Sequence, residues 1–563
     1  MLIQIPKITV TVSEHYVMIM FQRFLATFNK RTFPRPFSSV SNIKSVYHNV
    51  KKYPNKAAII DQTGTYTFSN IFIEAQVLSD KITQKVNGKL GEKVLFLCPN
   101  DASYVITVWA IWMSGQIAVP LSPLHPEPLL EYYINDTRSK LIIATTEYKK
   151  SLKKLAEKTQ SNFYALDKDL LDRARENGNC LLNNTDSLVK SEEALILYTS
   201  GTTGKPKGVV ITHKNIITQL DSLIQSWKWT CNDSVLHTLP LNHVHGTISA
   251  LFCPLYAGAS VVMLPKFHAP TVCDYLLNKS ITVFLAVPTI YSKLIDEFQA
   301  KYDPNKVREV LRKNIRLMVS GSAPLPDTLF VKWLEISGHR LLERYGMTEI
   351  GMCLSNEYDE NEREPGFVGL PLPSVSVALS DQETGQILLT CTNLNGKIEV
   401  EGAQGDVTGE LLVKGDSVFK EYYNKPEETS REFTKDDNWF KTGDIAQYVA
   451  DKNKFRLLGR KSADIIKSRG YKISALQIET ILLEHDNVKE CAVLGVNDPI
   501  YGEKIVAVIA LANPNSELGL EELKQWAKGK MPHYWIPQTI KIVDQLPRNY
   551  MGKVNKNELK RTL

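Results

Sequence analysis

Tyr198-Thr199-Ser200-Gly201-Thr202-Thr203-Gly204-Lys205-Pro206-Lys207-Gly208 follows the apolar run Ala194-Leu195-Ile196-Leu197, which reads as a buried strand. Three glycines let the backbone come close to a ligand, and four hydroxyls with two lysines offer donors to an anion. It is not a Walker A loop, because Gly201 and Gly204 stand too close together and Pro206 follows Lys205. A Gly/Ser/Thr-rich turn is often a plain flexible connection; the paired lysines favour phosphate. A buried strand that delivers such a loop at its carboxyl end points to a parallel α/β sheet, where ligands bind at strand ends.

The chain on either side keeps this texture. Apolar runs KVLFLC (93–98), VLHTLPL (235–241), SVVMLP (260–265), ITVFLAVPT (281–289) and IRLMVSGS (315–322) alternate with amphipathic stretches such as 214–228 and 327–337. Such alternation predicts α/β architecture, with doubly wound, mostly parallel sheets buried on both faces. After Gly459 the pattern becomes a smaller α+β one, with strands near 489–496 and 504–511, a helix at 519–529 and a strand at 540–544. The expected layout is an N-terminal address over 1–40, a large domain over 41–459 and a small, mobile domain over 460–563.

The 563 residues carry 67 Lys+Arg against 61 Asp+Glu, a net charge of +6. That length fits two to four cores. Hydrophobic residues at 43% and charged ones at 23% exclude wholesale disorder. The excess charge sits at the front. Residues 1–60 hold nine basic side chains and one acid, Glu14, leaving 58 basic and 60 acidic elsewhere, so no nucleic-acid footprint covers the body. Phe21, Phe24, Leu25 and Phe28 share one helical face with Arg23 and Lys30 opposite, the make-up of a mitochondrial presequence. Arg35-Pro36-Phe37-Ser38 resembles a matrix processing site cut after Phe37, and Met18 or Met20 are alternative starts. The competing reading is a disordered basic arm that meets anionic lipid. Eight scattered cysteines without a C-x-x-C pair argue against a disulfide framework or zinc cluster. The uncharged stretches 102–126 and 234–265 are broken by Gly and Pro, so they read as buried helix, turn and strand rather than membrane spans.

The phosphate loop, taken with motifs that follow it in order, resembles the adenylate-forming superfamily of acyl-CoA synthetases, adenylation domains and luciferases. Those motifs are Tyr66-Thr67-Phe68, the run from Gly115 to Leu121, Pro240-Leu241-Asn242-His243-Val244-His245-Gly246, Tyr345-Gly346-Met347-Thr348-Glu349, GELLVKG (409–415), YYNKPEET (422–429), Lys441-Thr442-Gly443-Asp444, Gly459-Arg460, MPHYWIP (531–537) and PRNYMGKVNK (547–556). The resemblance spans about 55–563. It implies a two-step reaction: a carboxylate attacks the α-phosphorus of ATP and pyrophosphate leaves, then a thiol, usually coenzyme A, takes the acyl group. It implies that Thr199, Ser200, Gly201, Thr202, Thr203, Gly204 and Lys207 cradle the β- and γ-phosphates, and that Thr348 contacts the α-phosphate. Glu349, with Thr203, would hold Mg²⁺, which wants oxygen ligands. Tyr345 and Gly346 would bear the adenine, with Gly321, Ser322 and Ala323 along its edge, while Asp444 and Arg460 would hold the ribose. Lys553 would neutralise charge that develops during adenylation. A swing of the small domain would exchange Lys553 for the 468–474 loop, with Gly470 at the coenzyme A channel. Two departures from the family pattern fall in that hinge: it carries Ser462 and Ala463 and is one residue longer, and Arg469 replaces the first glycine of the usual pair.

For the acid, the blocks LHTLPLNHVHG (236–246), FLAVPTIYSKL (284–294) and LLERYGMTEIGM (341–352) resemble malonyl-CoA synthetases. A dicarboxylate needs a cation for its distal carboxylate, because burying that charge unpaired is prohibitive. The resemblance gives this role to Arg316. His245 would border the acyl pocket, with Met352 and Lys266 as weaker candidates. A short- or medium-chain monocarboxylate ligase is the alternative enzyme. An inactive nucleotide-binding regulator is the alternative class, against which Lys553, Glu349 and Asp444 all stand. The expected partners are small molecules and, through the presequence, the import machinery; no transmembrane segment is expected, and the enzyme is expected to act as a monomer.

Overall fold

The computed structural model describes residues 45–563 apart from 168, 177–188, 200–204, 403, 462–463, 469–470 and 549–553. The presequence reading, the centre of the phosphate loop, Ser462, Ala463, Arg469, Gly470 and Lys553 therefore lie outside the described residues.

Two mixed, largely parallel sheets build the large part. One has the strand order Leu370–Pro371, Gly351–Ser355, Leu342–Met347, Leu317–Ser320, Val283–Ala286, Ser234–His237, Ser260–Met263, Ala57–Asp61, Gly64–Thr67. Its centre is parallel and both edges close with antiparallel hairpins. The other runs Glu421–Tyr422, Lys207–Thr212, Glu193–Thr199, Ile117–Pro120, Lys93–Leu97, Leu141–Ala144, Asn162–Ala165. It is parallel from Glu193–Thr199 outward to Asn162–Ala165.

The uncharged stretches become mostly interior, with Pro123, Pro126 and Pro240 exposed in the connections between elements. Helix Ala102–Met113 is buried at every position and starts where Asp101 accepts the Ser103 N–H at 2.9 Å. Strand Ile117–Pro120 then lies in the sheet centre. Among the described residues no helix is long and apolar enough to cross a membrane. Helix Phe68–Lys85 is fixed at its start by a reciprocal cap: Thr67 Oγ1 accepts the Asn70 N–H at 3.1 Å and Asn70 Oδ1 accepts the Thr67 N–H at 2.8 Å.

One segment departs from the expected α/β alternation. Strands Val375–Ser380, Ile387–Leu394, Lys397–Gly402, Val407–Gly415, Phe440–Val449 and Lys454–Arg460 form a six-stranded sheet whose pairs are all antiparallel. Val375–Ser380, Ile387–Leu394 and Lys397–Gly402 pair in succession, the chain then crosses to the far side of Val375–Ser380 to form Val407–Gly415, and the short helix Pro426–Arg431 precedes the final hairpin, so antiparallel pairing replaces βαβ units here. Its last pair sets Arg460 opposite Asp444, at the expected boundary.

The small part follows its expected outline. Strands Ile465–Ser468, Tyr471–Ser474, Val488–Asp498, Gly502–Leu511 and Thr539–Val543 make a sheet, with helices Ala475–Leu482, Leu520–Ala527 and Lys556–Arg561. It has its own core, centred on Ile466, Ile478, Val493, Ile505, Ile509 and Leu523.

Candidate active site

The phosphate loop leaves one strand and re-enters its antiparallel neighbour, with Thr199 opposite Lys207. Helix Glu127–Thr137 grips both roots of this hairpin. Tyr198 Oη donates to Asp136 at 2.6 Å and its ring stacks on Tyr133 with centroids 4.0 Å apart. Tyr132 Oη donates to the Pro206 carbonyl at 2.9 Å. Lys207 Nζ lies 2.9 Å from Glu428 Oε2 and 4.7 Å from the centre of the Tyr422 ring.

Thr348 and Glu349 form the turn between strands Leu342–Met347 and Gly351–Ser355. Glu349 is buried, its Oε1 accepts from Tyr422 Oη at 2.9 Å, and its carbonyl accepts from the Phe419 N–H at 2.7 Å. Burial pushes its carboxyl pKa up, and the Tyr422 bond opposes that shift. A buried, acceptor-only carboxylate fits a hard cation that takes its remaining ligands from nucleotide oxygens and water.

Asp444 sits between two groups named from sequence. Arg460 Nε lies 2.8 Å from Asp444 Oδ1, and Tyr345 Oη donates to Asp444 Oδ2. Arg460 Nη1 also donates to the Thr442 carbonyl at 2.9 Å, which holds the guanidinium along the sheet edge. Tyr345 thus reaches from the end of its strand to the carboxylate expected to receive ribose hydroxyls.

Around His245, expected to border the acyl pocket, three polar groups converge. His245 opens the wide, π-type helical segment His245–Phe252. Its Nδ1 lies 3.1 Å from Ser322 Oγ, and that oxygen accepts from Arg344 Nη2 at 3.3 Å. Ser322 has a backbone φ of +69°, an uncommon conformation for a residue with a side chain. Gly321 has no Cβ to block the guanidinium; one built there would stand 2.5 Å from Arg344 Cζ. Gly246 is likewise required, since its Cβ would fall 2.1 Å from the Pro240 carbonyl oxygen. Burial, assisted by the Arg344 charge, drives the His245 pKa well down, so the ring is neutral. Arg344 is 4% exposed, and no ion-pair partner accompanies it among the described residues. Its Nε is buried with no hydrogen-bond partner among the described residues. Its neighbour Glu343 faces the other side of the strand, where it accepts from the Gly366 N–H at 3.2 Å.

Arg316 is the correction. It precedes strand Leu317–Ser320, whereas Ser322 follows that strand's other end. At about 3.3 Å per residue, Arg316 stands more than about 10 Å along the chain from Ser322 and the His245 beside it. Its Nε and Nη2 donate to the two oxygens of Asp233 at 2.7 and 2.8 Å, and its Nη1 donates to the Trp227 carbonyl at 2.9 Å. The Trp229 and Tyr358 rings flank it, each centroid 5.6 Å away. A guanidinium so saturated is a structural tie. Lys266 is exposed. Met352 is buried, with its main chain bonded on both sides to the Gln219 amide.

Sequence reasoning passed over Arg344, although it lay inside a quoted motif; a charge within an otherwise buried strand was the available signal. Tyr422 was also missed. So was the buried cluster at the inter-domain joint, where Lys556 Nζ lies 2.5 Å from Asp464 and 2.6 Å from Glu479.

Residues 46–423 match the AMP-binding enzyme family, and 477–553 match the AMP-binding enzyme C-terminal domain. The chain belongs to the AMP-binding enzyme family. It is 42% identical to a protein of Xenopus laevis named malonate–CoA ligase ACSF3, mitochondrial, over 92% of this chain and 92% of that protein. It is 44% identical to the like-named Mus musculus protein, over 92% of this chain and 90% of that one. Among solved structures, ATP-bound MatB from Rhodopseudomonas palustris superposes with a TM-score of 0.80 at 29% identity, over 92% of this chain and 98% of that one. Lys207 and Glu349 meet at the Tyr422 ring, and Tyr345 and Arg460 meet at Asp444.

Proposed function

We propose that this AMP-forming acid–CoA ligase uses malonate and makes malonyl-CoA, AMP and pyrophosphate in the mitochondrial matrix. The carrying observation is Arg344, a buried guanidinium without a carboxylate partner among the described residues, set beside neutral His245 and Ser322 Oγ. A buried cation lacking its anion is costly unless the ligand brings one. A monocarboxylate would leave Arg344 unpaired; malonate supplies the second carboxylate.

In the first step a malonate oxygen bonds to the α-phosphorus as the bond to the β-phosphate bridging oxygen breaks. Lys207 binds departing phosphate charge, Thr348 contacts the α-phosphate, and Lys553 neutralises charge between the acid and phosphorus. Glu349 would hold Mg²⁺, which supplies further neutralisation of phosphate charge. Asp444, oriented by Tyr345 and Arg460, fixes the ribose so that the α-phosphate meets the acid in line. In the second step the coenzyme A thiol loses its proton, bonds to the acyl carbon, and AMP leaves. A swing of residues 460–563 that exchanges Lys553 for the 468–474 loop accommodates both steps. Residues 1–40 act as the matrix address, a reading supported by relatives whose names include "mitochondrial".

The test is pyrophosphate release by the purified protein with ATP, Mg²⁺, coenzyme A and, in turn, malonate, methylmalonate, acetate, hexanoate and benzoate. Malonate should give the highest kcat/KM. Preference for hexanoate or acetate would replace the dicarboxylate reading, and failure with every acid would favour an inactive nucleotide-binding protein.

A further inference from the structure

Tyr422 belongs to none of the roles above, yet it touches two of the groups that carry them. It sits on the two-residue strand Glu421–Tyr422, antiparallel to Lys207–Thr212 and directly opposite Val209. Flanking main-chain bonds, Lys420 N–H to the Val210 carbonyl at 2.9 Å and Tyr423 N–H to the Gly208 carbonyl at 2.7 Å, lock that register. The side chain is 5% exposed and packs edge-on against Phe419, with centroids 4.9 Å apart. Its phenol donates to Glu349 Oε1 at 2.9 Å, while its ring lies 4.7 Å from the Lys207 ammonium.

We infer that Tyr422 is a positioning residue for the triphosphate: it stands between Lys207 and Glu349, holds each by a different part of one rigid ring, and prevents them from pairing with each other. The inference rests on the reading of Lys207 and Glu349 as phosphate-side ligands. An aromatic ring has a negative face that attracts a cation and, in tyrosine, a hydroxyl at its edge that donates to an anion. The ring thereby orients both groups without adding a charge of its own, while Lys207 keeps its ion pair with Glu428 at 2.9 Å. A direct Lys207–Glu349 pair would occupy the buried carboxylate itself, whereas the pair Lys207 does make is with Glu428, a half-exposed side chain that the nucleotide can displace. The device acts on the β- and γ-phosphates and leaves the adenosine contacts of Tyr345 and Asp444 alone.

The test is the affinity of the full-length protein for ATP and for AMP by titration calorimetry without acid or coenzyme A, in Tyr422→Phe, Tyr422→Leu, Lys207→Met and Glu349→Gln. Tyr422→Leu should weaken ATP about tenfold, equivalent to about 1.4 kcal/mol, while AMP stays within about twofold. Tyr422→Phe keeps the ring and should weaken ATP about threefold. Equal weakening of ATP and AMP would make Tyr422 merely structural and overturn the inference. If Lys207→Met reduces the ATP-to-AMP preference but neither Tyr422 variant does, the inference fails while the site reading stands. If Lys207→Met and Glu349→Gln both leave that preference intact, the reading itself falls and takes the inference with it. Tyr422→Phe decides the matter if the leucine variant fails to fold.

Discussion

Replacing Arg344 by Met should make the enzyme no less stable and specifically disable it toward malonate. Burial alone lowers the guanidinium pKa to about 9. Holding it charged at neutral pH therefore costs about 5 kcal/mol relative to water. The acid-free fold returns little of this among the described residues, since the hydrogen bond from the side chain to Ser322 Oγ is long at 3.3 Å. Met fills a similar space without the charge, so the melting temperature should hold or rise. With malonate the balance reverses: the distal carboxylate would enter a buried site with no cation. Truncating one member of a buried ion pair costs about 3–5 kcal/mol. The kcat/KM for malonate should fall by a factor of about 10²–10⁴, while butyrate, with a methyl-capped chain, loses nothing and gains relative rank. Pyrophosphate release with each acid, read beside a thermal melt, checks both halves. A malonate kcat/KM within about threefold of the native value would refute the assignment. So would a fall in melting temperature with malonate and butyrate rates declining together, which would make Arg344 a structural residue.

Arg316→Met should show the opposite pattern. Asp233, with 3% side-chain exposure, would lose its bidentate partner, which should destabilise the fold by about 3–5 kcal/mol; malonate kcat/KM measured well below the melting transition should stay within about twofold. Selective loss of malonate turnover in a stable Arg316 variant would return that residue to the acyl pocket. Acid should weaken the fold through His213 and His237, both buried and both with pKa lowered by burial to about 4. The unfolded chain binds these two protons near pH 6.5 and the folded chain does not, so stability falls as pH drops from about 6.5 toward 4. For two protons the slope approaches about 2.7 kcal/mol per pH unit. Urea midpoints at pH 7.5, 5.5 and 4.5 measure it, and a midpoint unchanged across that range would contradict the burial of these rings.

The contrast between Arg316 and Arg344 shows what the sequence could supply. Both arginines border short apolar runs, IRLMVSGS and LLERYGM, and composition does not separate them. Strand direction does. In a parallel sheet ligands gather at carboxyl ends; Arg316 precedes its strand, whereas Arg344 lies on a neighbour beside Ser322, just past the end of Leu317–Ser320. Motifs whose members are consecutive, such as Tyr345 to Glu349, carried their own geometry and were legible. So was the closeness of Asp444 and Arg460, because both motifs border the ribose in the family pattern. The six-stranded antiparallel sheet was not, because its order pairs Val375–Ser380 with Val407–Gly415 across two intervening strands, a long-range choice that no local pattern carries. Least legible was Lys556, whose partner Asp464 is 92 residues away along the chain. Nothing local distinguishes it from an exposed C-terminal lysine, the reading its composition favours. Its ammonium is nevertheless buried between two carboxylates at the joint, three residues beyond Lys553. A charge can afford that place only because the fold brings both acids to it, so its meaning resides in the tertiary arrangement and could not have been found in any window of sequence.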